Sequence, residues 1–119
     1  MAPKPKYRLQ PILDQKEKAK KDAEQALADA HRKQAEEEEK KRAIEQEKES
    51  LLLRIEDAKE KRDKKAMEGE LTVQESQSFK LFIQGLHERR KEMDLQIYKQ
   101  TKAIERAAEA VERAKVDLI

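Results

Sequence analysis

From Phe79 to the last residues of this chain, nearly every apolar side chain falls on one narrow stripe. Phe79, Leu86, Met93, Ala107 and Ala114 keep a seven-residue frame, and Ile83, Ile97, Ile104, Val111 and Leu118 keep the same frame four positions later. Only Arg90 and Gln100 interrupt it. Intervals alternating between four and three confine the stripe to a strip of helix too narrow for a globular core, and a second helix lying alongside is what buries such a strip.

Composition points the same way. Charged residues make up 45% of the chain and aromatic residues 3%, with only 2 Gly and 3 Pro, as in long solvated helices and unlike globular domains. Disordered chains share that composition but lack a sustained seven-residue apolar period. There is no cysteine, hence no disulfide framework and no thiolate metal site. The N-terminal stretch has no apolar segment of signal-peptide length, and no apolar run approaches the roughly 20 residues of a membrane-spanning helix. The expectation is a protein of the cytoplasm.

Net charge is only +2, but it is unevenly spread. In the first 21 residues Lys4, Lys6, Arg8, Lys16, Lys18, Lys20 and Lys21 stand against Asp14 and Glu17, a local charge of +5 that leaves −3 for the remainder. The N-terminal end is therefore drawn to acidic surfaces.

The chain divides simply. Pro3 and Pro5 predict an extended basic tail over residues 1–9, and Pro11 suits a first helical turn, so helix one is placed at about 10–67. Between Ile12 and Met67 there is neither glycine nor proline, and strong helix formers dominate. Gly69 offers the left-handed conformation that ends helices, and Thr72-Val73-Gln74-Glu75 reads as a capping box in which Thr72 caps and Glu75 reaches back. A turn at about 68–73 and a second helix at about 74–118 follow. The expected fold class is all-α, a long antiparallel two-helix coiled-coil hairpin forming a single domain over 10–119.

A register can be set by asking which offset brings apolar residues face to face. Position numbers adding up to 141 do so: Ala58 meets Ile83, Ile55 meets Leu86, Leu51 meets Arg90, Ile44 meets Ile97, Ala30 meets Val111, Leu27 meets Ala114 and Ala23 meets Leu118. Gln34, Glu37 and Lys41 form a partly polar stretch, which fixes register and lowers stability.

Chemistry-bearing motifs are sparse. Glu36 with Lys40, Glu37 with Lys41 and Glu38 with Arg42 are spaced as ordinary helix-face ion pairs. His31 and His87 have no second histidine or cysteine at metal-ligand spacing and are expected at the surface. No phosphate-cradling loop or nucleophile elbow occurs, and a two-helix rod offers no desolvated pocket, so neither catalysis nor a cofactor or metal is expected.

Two apolar groups stand outside this scheme. Leu9, Ile12 and Leu13 would need partners beyond residue 119 in the same register, and the chain finishes at Val116, Leu118 and Ile119 without a helix stop signal, as expected of a chain shorter than its natural length. Leu81 and Phe82 lie beside the seam. Gly85, costly inside a helix, either relieves crowding or admits a partner, and access is the favoured reading.

Tyr7-x-Leu9-x-x-Ile12-Leu13-x-x-Lys16, the long charged helix, the turn Gly69-Glu70-Leu71-Thr72 and Phe79-x-x-Phe82-Ile83-x-x-Leu86 together resemble the FliJ and YscO family, the stalk proteins of bacterial flagellar and type III secretion export. The resemblance spans nearly the whole chain. It implies a monomeric antiparallel hairpin in the bacterial cytoplasm, peripheral to the export apparatus at the inner membrane. Its open end would enter a hexameric export ATPase through Tyr7, Arg8, Leu9, Leu13 and Lys16, together with residues near Val116. It implies contact with the membrane export gate through Phe82, and export chaperones as a further partner class. Family members run further at the C-terminus. Arg89 and Met93 depart from the small and polar residues of the family's gate contact, and Leu86 belongs to the seam, so Phe82 alone is carried over. Two other readings remain: a structural or tethering coiled coil that dimerises through its seam, which solution mass distinguishes, and a nucleic-acid binder using the basic end, a weaker reading that salt-dependent binding distinguishes.

Overall fold

The computed structural model describes the backbone from residue 5 to 118 and side chains from 9 to 118. It contains α1 (Pro5–Met67) followed by α2 (Val73–Leu118), which form an antiparallel two-helix coiled-coil hairpin. Among the described residues, no helix is long and apolar enough to cross a membrane.

Helix α1 begins earlier than expected. Residues 5–9 are helical rather than extended, and Pro5 takes the helix-start position at which a missing N–H costs nothing. Pro11 is then inside the helix and cannot donate to the Tyr7 carbonyl, a defect worth about 3 kcal/mol in a helix interior. Across it, Gln10 Nε2 donates to Asp14 Oδ1 at 3.0 Å, a one-turn side-chain link that supports the helix locally.

The turn is built by its glycine. Gly69 has φ +68°, and with it Glu70 N–H donates to the Lys65 carbonyl at 2.9 Å and Gly69 N–H to the Ala66 carbonyl at 3.2 Å. These paired bonds are the Schellman arrangement, which satisfies carbonyls left over at the end of α1. Thr72 Oγ1 then caps α2 by accepting from Glu75 N–H at 3.1 Å. The other half of the expected capping box is replaced: the Glu75 carboxylate takes Lys65 Nζ of α1 at 2.6 Å. An ammonium outcompetes a neutral N–H for a carboxylate because the bond is charge-assisted on both sides.

The hairpin comprises two compact units. In Glu39–Lys102, covered positions on α1 at Lys41, Ile44, Lys48, Leu51, Ile55, Ala58, Arg62 and Lys65 keep the three-four rhythm of the expected seam, with Lys59 half-buried beside it. Leu51, Ile55, Leu86 and Met93 form its hydrophobic core, with Ile55 only 2% exposed. Two interhelical ion pairs calibrate the register: Lys65 with Glu75, whose numbers add up to 140, and Lys48 with Asp94, whose numbers add up to 142. They bracket the offset of 141.

The second unit joins the α1 residues up to Glu38 with those from Ala103 onward. Its covered α1 positions, Ala23, Leu27, Ala30, Gln34 and Glu37, continue the same rhythm, and Ala107, Val111 and Ala114 are buried on α2. Small side chains bury little apolar area, at about 25 cal/mol per Å², so this seam is the weaker of the two. Glu37 is 6% exposed at a seam position and is paired one turn back with Lys33 Nζ at 2.9 Å. Ion pairs on α1 differ from those expected: in this unit Glu37 takes Lys33, and in the other Arg42 binds Glu39 at 3.1 Å and Lys41 reaches Glu45 at 3.9 Å.

Candidate functional site

The N-terminal part of α1 carries an apolar stripe without cover. Leu9, Ile12 and Leu13 are 57%, 49% and 55% exposed, and every described side chain from Leu9 to Asp22 is exposed. Leu9, Leu13 and Lys16 are spaced by four and three residues and so share one face of the helix. Lys16, Lys18, Lys20 and Lys21 follow within two turns. The face is thus half of a coiled-coil seam with a cationic border. The Tyr7 and Arg8 side chains lie outside the described residues.

In the unit next to the turn, Phe82 is 49% exposed and borders a shallow groove with Phe79, Ser78 and the Lys65–Glu75 pair. Leu81 beside it is 69% exposed. Gly85, one turn on, has no structural need for its missing side chain: a Cβ built there would meet nothing within 4 Å. Crowding therefore does not explain it, although glycine costs about 1 kcal/mol relative to alanine in a helix interior.

Electrostatics in these units are those of exposed pairs. Hydrogen bonding to Lys48 holds the Asp94 carboxyl below its ordinary value against an opposing desolvation, and the charges of Lys48 and of Arg90, at 2.9 Å, add to the lowering. Hydrogen bonds to Glu75 and Glu37 push Lys65 and Lys33 up. Among the described residues, no group of three histidine or acidic side chains could hold a metal ion. His31 is exposed and His87 half-buried.

Each unit thus leaves apolar side chains exposed on a helix face, Leu9, Ile12 and Leu13 in one and Leu81 and Phe82 in the other. The family model described as YscO-like protein matches residues 4–119. The chain belongs to the YscO-like protein family. No curated protein and no solved structure matches it. Membership makes this a protein related to type III secretion, from a family of structural stalks of the secretion apparatus, and associates it with that apparatus.

Of the residues singled out from the sequence, Leu9, Leu13 and Lys16 come together on one face of α1, and Phe82 stands on α2 in the other unit. Sequence reading missed the diversion of Glu75 to Lys65. A lysine four residues before the helix-ending glycine was the available signal, because the hairpin register sets it across from Ser76, next to Glu75.

Proposed function

We propose that this protein is the non-enzymatic cytoplasmic stalk of a bacterial type III export apparatus, inserting into a hexameric export ATPase and coupling it to the membrane export gate. Tyr7, Arg8, Leu9, Leu13 and Lys16 make the ATPase contact, and Phe82 makes the gate contact. The observation that carries this reading is the uncovered stripe of Leu9, Ile12 and Leu13 beside a lysine cluster, in a chain whose other seam positions are covered by its own second helix. A half-seam of this kind gains burial from a partner's helices, and its charge favours an acidic lining. Exposed apolar residues grouped on one face mark interaction sites more often than scattered ones do.

Deleting residues 1–14 tests the assignment. The truncated chain should keep its helical hairpin, because the covered seam positions of α1 begin at Ala23, and should lose binding to the hexameric ATPase. Undiminished ring binding and ATPase stimulation by the truncated chain would remove the ATPase contact from this end.

A further inference from the structure

Leu9, Leu13, Lys16 and Lys20 recur at intervals of four, three and four, the spacing of the seam whose cover begins at Ala23, and Ile12 lies beside them. All five side chains are exposed. The leading end of this face is apolar and its trailing end cationic, over about 17 Å at 1.5 Å per residue. With 3.6 residues per turn, Asp14 and Asp22 fall on the opposite side of the helix and Glu17 at the flank, so the face itself holds no carboxylate.

Cations here differ from those further along α1. Arg32, Lys33, Lys41 and Arg42 each pair with an acidic residue three or four positions away. Among the described residues, Lys16, Lys18, Lys20 and Lys21 form no ion pair, although Glu17 stands four residues before Lys21, the favoured order for a helix pair. A partner for this end has two requirements to meet. It must carry negative charge, since the first 21 residues have a charge of +5. It must also take Leu9, Ile12 and Leu13 out of water. An anionic bilayer does both: the acyl boundary receives the apolar side chains, and lysine stems lie along it while their ammonium groups reach phosphate. Nucleic acid supplies phosphate but no apolar phase for the leucines. A second copy of this end would bring like charge against like.

We infer that the N-terminal end of α1 binds the surface of an anionic membrane, with Leu9, Ile12 and Leu13 entering the acyl boundary and Lys16 and Lys20 among the headgroups. The inference does not rest on the ATPase contact proposed above. Both use one stripe, so lipid and ring exclude each other on a single molecule. A short apolar patch or a lysine cluster alone attaches weakly and reversibly, and the two together add, so binding needs both.

Co-sedimentation of the full chain with extruded vesicles tests this, comparing phosphatidylcholine alone with an equal mixture of phosphatidylcholine and phosphatidylglycerol. The chain should bind the mixed vesicles at least tenfold more tightly and lose that binding as salt is raised. Leu9→Gln with Leu13→Gln should weaken it by tenfold or more, and so should Lys16→Gln with Lys20→Gln. Circular dichroism should show helicity kept in both, since none of the four side chains is buried. The chain has no tryptophan, so emission from Leu13→Trp should shift to the blue with mixed vesicles and not with phosphatidylcholine. No sedimentation with mixed vesicles, or equal sedimentation with both kinds, overturns the inference. Loss with the lysine variant but not with the leucine variant reduces the contact to adsorption by charge and overturns insertion. Tighter binding to a DNA duplex than to mixed vesicles, unaffected by the leucine changes, assigns this end to nucleic acid instead. Ring binding without vesicle binding leaves the stalk reading standing and this one fallen; vesicle binding without ring binding does the reverse.

Discussion

Lys48 of α1 and Asp94 of α2 form an ion pair between the two helices, and Arg90 grips the same carboxylate from within α2. Because these contacts lower the Asp94 pKa, they contribute stability above the ordinary carboxylate value of 3.8, and that contribution is lost as pH falls through the lower folded value. The melting temperature of wild type should therefore exceed that of Asp94→Asn at pH 7, and the gap should close below about pH 3.8. A gap unchanged at pH 2 would show that the pair adds nothing through charge.

The opposite sign holds at the turn. Lys65 is raised above 10.5 by Glu75, so its contribution is present below 10.5 and disappears as pH rises through the folded value. Glu75→Gln should remove that part of the alkaline loss of stability, seen as a smaller drop in melting temperature between pH 9 and pH 12.

Seam and flank should respond differently to truncation. Ile55 is 2% exposed, and Ile55→Ala should lose about 2 to 5 kcal/mol, whereas Phe82→Ala should lose far less than the 3 to 5 kcal/mol of a buried phenylalanine. Melting curves of both variants check this. Equal losses would place Phe82 in the core and remove it from the proposed gate contact.

Gly69 is the position at which backbone conformation is decisive. At φ +68°, Gly69→Ala should destabilise the hairpin by about 1 to 2 kcal/mol, and Gly69→Asn by less, since asparagine visits the left-handed region more readily. Urea titration with an unchanged m value would assign the loss to stability alone.

The register predicts a specific crosslink. Cysteines replacing Ala30 and Val111, half-buried and buried on the facing seams of one unit, should join within a monomer on oxidation. Crosslinking only between chains would favour a dimer held by its seam over a hairpin.

Much of this architecture is written in side-chain spacing. The apolar frame from Phe79 to Leu118 marked the seam, and the offset chosen to pair it lies between those of the two observed interhelical ion pairs. Gly69 and Thr72 marked the turn because left-handed backbone and hydroxyl caps have few substitutes. What escaped was decided by competition between near-equal options. Pro5 and Pro11 both suit a helix start, and choosing between them depends on whether α1 tolerates a proline within it. Partners of Glu37 and Glu75 depend on which lysine the fold brings nearest, which helix spacing alone does not rank. At the candidate sites, exposure of Leu9, Leu13 and Phe82 followed from the heptad, but open space at Gly85 depends on where the fold places its neighbours.

The turn also carries a kinetic meaning. Its Schellman bonds, the Thr72 cap and the Lys65–Glu75 pair all form between residues close in sequence, so they can assemble before any long loop is closed. Leu27 and Ala114, which the offset of 141 pairs, are separated by most of the chain and can be brought together only after a long loop has closed. Folding should therefore zip from the turn towards the chain ends: Gly69→Ala should slow folding, whereas Val111→Ala should mainly speed unfolding, in stopped-flow chevrons of the two variants.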